Sequence, residues 1–127
     1  LGFIVVAKIL LIDDVEDVRE ILDDALSSAG HDVTPIGLGS EGINILKGDE
    51  IFDVVITDIL MPDSDGLEVI LAAMEREPRP KIIAISGGGA MVPASITLGG
   101  AKLMADATLQ KPFDEAKLLN TVQMVLA

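Results

Sequence analysis

The chain has 127 residues, no cysteine, a mean hydropathy of +0.52 and a formal net charge of −12 from 21 acidic against 9 basic side chains. That length suits one domain with its own core, and half the residues being apolar excludes a disordered chain. Without thiols there is no disulfide framework or thiolate metal site. The acidic balance, with no Lys/Arg cluster and aromatics confined to Phe3, Phe52 and Phe113, argues against direct nucleic-acid binding and favours partners with basic patches.

The longest apolar stretch, Leu1 to Ile12, is broken by Lys8, is too short to span a bilayer and lacks the positive start of a signal peptide. A cytoplasmic protein with no membrane contact is expected. Residues 1–7 read as an N-terminal extension, a cloning remnant or a continuation of the first strand, and 8–127 as the domain.

Lys8–Ile12 is apolar after its lysine, as a strand covered on both faces requires. Val18, Ile21, Leu22, Ala25, Leu26 and Ala29 follow helical spacing, which predicts a helix from Val15 to Ala29 stopped by Gly30. His31–Pro35 is a short strand whose proline suits a sheet edge. Ser40 is a candidate cap for a helix over Glu41 to about Lys47. Asp53–Thr57 is a third strand ending at Asp58, and the turn cluster Met61–Gly66 precedes a helix with Leu67, Ile70, Leu71 and Met74 on one face. Lys81–Ile85 is a fourth strand opening into Gly87-Gly88-Gly89. Ser95 to about Leu103 is expected to be helical despite Gly99-Gly100, a fifth strand lies near Thr108–Gln110, and Asp114 caps a final helix carrying Leu118, Leu119, Val122, Val125 and Leu126. Strands alternating with helices imply an α/β fold of βαβ units around a parallel sheet.

The chemistry-bearing residues fall where these strands end. Asp13-Asp14 follow the first, Asp58 the third, Ser86 the fourth and Lys111-Pro112 the fifth. Parallel strands present their carboxyl ends along one edge, where ligands bind, so these residues can converge on an acidic pocket holding one cation. Such a pocket suits a divalent metal and a phosphoryl group. Taken singly, each residue has a plain alternative: Asp13-Asp14 as the start of a helix, Asp58 as a turn former, Ser86 as a loop hydroxyl, Lys111 as a solvated lysine and His31 as a residue beside a turn.

Taken in order, Asp13-Asp14, Asp58-Ile-Leu-Met-Pro62 with Asp65-Gly66, Ser86 and Lys111-Pro112-Phe113 resemble the receiver domain of two-component response regulators over about Lys8 to Ala127. The resemblance implies a doubly wound, flavodoxin-like sheet of five parallel strands in the order 2-1-3-4-5, with five helices. It implies that Asp58 accepts a phosphoryl group from a histidine kinase or a histidine phosphotransfer protein, with Mg²⁺ as cofactor. Asp13, Asp14, Asp58 and the backbone carbonyl of Leu60 would be the metal set, Asp14 direct and Asp13 mainly through water. Lys111 and Ser86 would meet phosphoryl oxygens, Lys111–Pro112 would be cis, and Ser86 with Thr108 would form the switch. Output would pass to an effector protein through the face of the fourth helix, the fifth strand and the fifth helix. The domain would be no enzyme beyond its own phosphotransfer and dephosphorylation.

Three departures from the receiver pattern stand out. Thr108 occupies a position where receivers often carry Tyr or Phe. The interval from Ser86 to Lys111 is longer than usual near Gly87-Gly88-Gly89, so a loop closing when Ser86 engages phosphate is expected. Leu60 and Gly88 offer no side chain to hold water, from which slow self-dephosphorylation follows. Two other functions stay open: a Mg²⁺-dependent phosphatase or phosphotransferase with an aspartyl nucleophile, disfavoured because Asp13-Asp14-Val15-Glu16 lacks an Asp-x-Asp spacing, and a phosphorylation-independent adaptor.

Overall fold

A computed structural model describes residues 4–59, 61, 66–87, 95–98 and 101–127, with backbone only for 95–98 and 101–103. In chain order the elements are β1 (Lys8–Ile12), α1 (Glu16–Ser28), β2 (Asp32–Ile36), α2 (Gly39–Leu46), β3 (Val54–Asp58), α3 (Gly66–Met74), β4 (Lys81–Ser86), β5 (Ser95–Leu98), β6 (Ala101–Met104), β7 (Ala107–Gln110) and α4 (Glu115–Leu126). The main sheet is parallel in the order β2-β1-β3-β4-β7. Counted within that sheet, this is the expected 2-1-3-4-5 arrangement.

The apolar runs fill both sides of the sheet because successive side chains alternate across a strand. Ile9, Leu11, Val54, Ile56, Ile83, Ile85 and Leu109 face one way and pack under α1 and α4, against Leu22, Leu26, Leu118 and Val122. Leu10, Ile12, Val55, Ile82 and Ala84 face the other way, under α2 and α3, against Leu46, Val69, Ile70 and Ala73. Strands β1, β3 and β4 are therefore buried almost throughout. β2 lies at the edge, pairing among the described residues with β1 alone and carrying Pro35 opposite Leu11.

Helix ends differ in detail from the sequence reading. Val15 is the N-cap residue of α1, its N–H accepted by Asp13 Oδ1 at 2.9 Å, and Gly30 (φ 99°) turns the chain after the helix. α2 begins at Gly39, with Leu38 rather than Ser40 in the cap position. Asp114 does cap α4, accepting from the Lys117 N–H at 2.8 Å. Residues 62–65 of the Met61–Gly66 turn lie outside the described residues.

One element is of another kind. The helix expected over Ser95 to Leu103 is replaced by β5 and β6, an antiparallel pair in register Ser95↔Met104 to Leu98↔Ala101. Gly99-Gly100 between them weakens a helix by about 1 kcal/mol per residue relative to Ala, and β-branched Ile96-Thr97 favours extended backbone. β6 lies against α3, with the Met104 N–H 3.3 Å from Met74 Sδ. The described residues thus hold four helices, not five.

Below the sheet, Val5 exchanges two hydrogen bonds with the Gln123 side chain, at 3.0 and 2.9 Å, and the Ala7 N–H donates to His31 Nδ1 at 3.0 Å. Among the described residues no helix is long and apolar enough to cross a membrane.

Candidate functional site

Four strands deliver the site. Asp13 follows β1 directly, Asp58 and Ser86 are the last residues of β3 and β4, and Lys111 follows β7. Parallel register puts all four ends on one edge: Asp58 stands beside Ile85, and Ser86 beside Gln110. The Lys111 N–H continues the ladder by donating to the Ser86 carbonyl at 2.8 Å. Lys111–Pro112 is cis, as expected.

Asp13 is fully buried and each of its polar groups is engaged. Its N–H donates to the Ile36 carbonyl at 3.1 Å, and its own carbonyl accepts from Arg19 Nη1 at 2.9 Å. Oδ1 takes the Val15 N–H and Oδ2 takes Lys111 Nζ at 3.1 Å. The same ammonium lies 2.9 Å from Asp58 Oδ2. Burial pulls the Lys111 pKa down, but the hydrogen bonds it donates to Asp58 and Asp13, with the charges of those carboxylates, outweigh it, so the ammonium is held above the ordinary lysine value.

Asp13, Asp14 and Asp58 each present a carboxylate oxygen within 4.8 Å of the others. Three formal carboxylate charges against one ammonium leave two, the charge of a divalent cation. An all-oxygen donor set of this kind fits a hard ion such as Mg²⁺ rather than a thiophilic one. The donors present therefore suit the expected metal.

The close approach of α3 sets the height of Asp58. The Gly66 N–H donates to the Ile59 carbonyl at 2.6 Å, and a Cβ on Gly66 would collide with the Asp58 carbonyl oxygen and stand 2.7 Å from Ile59 Cα. Only glycine fits there. Ser86 is buried at the pocket wall, and Thr108 is exposed on β7. Both line an open groove of about 470 Å³ that also includes Gln110, Phe113 and Lys117. Leu60, and the loop residues 88–94 on which closure and Gly88 were expected to bear, lie outside the described residues.

Sequence reasoning did not single out Arg19 or give His31 a role. Arg19 reads from its position as one more charge on an amphipathic helix. His31 is buried, and burial lowers its pKa. The nearest sequence signal is its place between Gly30 and an apolar strand.

A family model described as "response regulator receiver domain" matches residues 9–123. The chain belongs to that family. Among relatives of this receiver, the response regulator receiver protein CpdR of Brucella abortus (strain 2308) is 36% identical over 121 residues, covering 94% of this chain and 96% of CpdR. The DNA-binding transcriptional regulator NtrC of Azospirillum brasilense is 33% identical over 94% of this chain, which spans only 24% of NtrC. A crystal structure of a response regulator receiver protein from Sinorhizobium medicae WSM419 superposes with a TM-score of 0.78 at 32% identity, covering 95% of this chain and 94% of that one. Receivers are signalling domains of two-component systems, and the acidic trio with Lys111 lies at the sheet edge where this receiver gathers its strand ends.

Proposed function

We propose that Asp58 accepts a phosphoryl group from a phosphohistidine on a histidine kinase or phosphotransfer protein. The observation that supports this best is the half-buried Lys111 ammonium reaching Asp13 and Asp58 together. It pins the Asp58 carboxylate in place and sits ready to meet the charge of an arriving phosphoryl group.

An Asp58 oxygen attacks phosphorus, the P–N bond to the donor imidazole breaks, and the imidazole keeps the electron pair. Two anions approaching each other need neutralisation. Lys111 supplies one charge, following phosphoryl oxygen as the group arrives on Asp58. Asp14 and Asp58, with Asp13 through water and the Leu60 carbonyl, would hold Mg²⁺, which would supply further positive charge for the phosphoryl group. The Ser86 hydroxyl donates to a further oxygen, and Thr108, on the same groove, moves with it. Output then passes to an effector protein over the face formed by the β5–β6 pair, β7 and α4. The pairing of Asp13, Asp58 and Lys111 in one hydrogen-bonded unit is more than a bare adaptor fold needs.

The test is incubation with acetyl phosphate and Mg²⁺ followed by intact-mass measurement. Wild type gains one phosphoryl group and Asp58→Asn none. Equal gain by both, or repeated turnover of phosphomonoesters in excess, would overturn the reading.

A further inference from the structure

Asp13 is held from behind by a contact that the phosphoacceptor chemistry does not use. Arg19, on α1, turns its guanidinium back over the first turn of the helix, and Nη1 donates to the main-chain carbonyl of Asp13 at 2.9 Å. The guanidinium lies against Gly37, in the link between β2 and α2. A Cβ on Gly37 would stand 2.8 Å from Nη1 and 3.3 Å from Cζ. The missing side chain at 37 is thus the space the guanidinium occupies. Ile36, next to Gly37, holds the Asp13 N–H on the other side.

We propose that Arg19 and Gly37 are a positioning pair: glycine leaves the slot, the arginine fills it, and together they fix the turn that carries Asp13 and Asp14 in the geometry that binds Mg²⁺. The inference rests on the reading of that trio as a Mg²⁺ site. It assigns opposite duties to the two cations nearby. Lys111 sits on the carboxylate oxygens themselves and competes with a metal for them. Arg19 holds the main chain and leaves those oxygens alone, so its charge counters the crowding of acids without occupying a ligand position. Groups that orient metal ligands from outside commonly change metal affinity about 10–100-fold when removed.

The sign of the effect separates positioning from a plain field effect. Losing a cation beside an acidic pocket would by charge alone tighten Mg²⁺ binding; losing a positioning group weakens it. Calorimetric Mg²⁺ titration of unphosphorylated wild type, Arg19→Met, Arg19→Lys, Gly37→Ala and the double variant Arg19→Met/Gly37→Ala reads this directly, with thermal unfolding without Mg²⁺ confirming that each folds. Gly37 is not in the left-handed region, so alanine there perturbs only the slot. Arg19→Met and Gly37→Ala each weaken binding about 10-fold. Arg19→Lys, keeping charge and a donor, loses less, and the double variant is no weaker than Arg19→Met because both act through one contact. Binding within about twofold of wild type, or tighter, in either single variant overturns the pair, as do losses that multiply in the double variant. Wild type that binds no Mg²⁺ overturns the site reading and this inference together; wild type that binds while the variants match it overturns this inference alone.

Discussion

Lys111→Met isolates what the ammonium does for the folded state. Its Nζ lies 3.1 Å from Asp13 Oδ2 and 2.9 Å from Asp58 Oδ2, and the side-chain exposures are 26% for Lys111, 0% for Asp13 and 11% for Asp58. Removing one partner of a fully buried ion pair costs about 3–5 kcal/mol, because the remaining charge keeps its desolvation penalty. Here two carboxylates lose their partner, but the lysine end reaches water and the vacated volume admits it. The expected cost is therefore nearer about 2 kcal/mol. For a domain of this size that lowers Tm by about 7 °C. The same change frees two carboxylate oxygens from a competing cation, so added Mg²⁺ should raise the Tm of Lys111→Met more than that of wild type. Thermal unfolding followed by far-UV circular dichroism at neutral pH, with and without Mg²⁺, measures both effects. A metal-free variant within about 2 °C of wild type, or an equal response of the two proteins to Mg²⁺, would refute the reasoning.

Other consequences are equally direct. His31 accepts the Ala7 N–H at Nδ1 and is buried with its pKa lowered, so it is neutral in the folded state with its proton on Nε2. The unfolded chain binds the extra proton first, so His31's contribution is complete above its ordinary pKa of about 6.5 and is lost as pH falls through the lowered folded value. Urea midpoints between pH 5 and 7.5 should show a decline toward acid that is shallower in His31→Gln, the difference never exceeding one proton, about 1.4 kcal/mol per pH unit. Gly66→Ala drives a methyl into the Asp58 carbonyl and Ile59; it should cost about 2 kcal/mol in urea unfolding and slow labelling by acetyl phosphate. Arg76 donates to the carbonyls of Leu46 (2.7 Å), Gly48 (2.6 Å) and Glu50 (2.5 Å), pinning the link between α2 and β3. Arg76→Met should lose about 2 kcal/mol and increase amide exchange over residues 47–51, leaving phosphorylation intact.

Strands β1, β3 and β4 were legible because each is a short apolar run closed by a polar residue, and burial on both faces leaves little else such runs can do; edge strand β2 was marked by its proline instead. At β3 and β4 that closing residue is also a candidate site residue, Asp58 and Ser86, so the candidate site came with the strands. The region from Ser95 to Leu103 misled because a helix was expected there despite Gly99-Gly100, whereas glycine weakens a helix and β-branched Ile96-Thr97 favours extended backbone. Arg19 escaped for a different reason. Its role is a hydrogen bond to a main-chain carbonyl across a gap left by Gly37, eighteen residues away, and neither residue type carries that message alone.

Because Asp13, Asp58, Ser86 and Lys111 belong to the ends of four different strands, no local stretch of chain can assemble the pocket. The cation comes from the final strand, so an emerging polypeptide carries its acids well before the group that reconciles them. A partly made or half-unravelled chain therefore lacks a competent pocket, and readiness to receive a signal is tied to completion of the sheet itself.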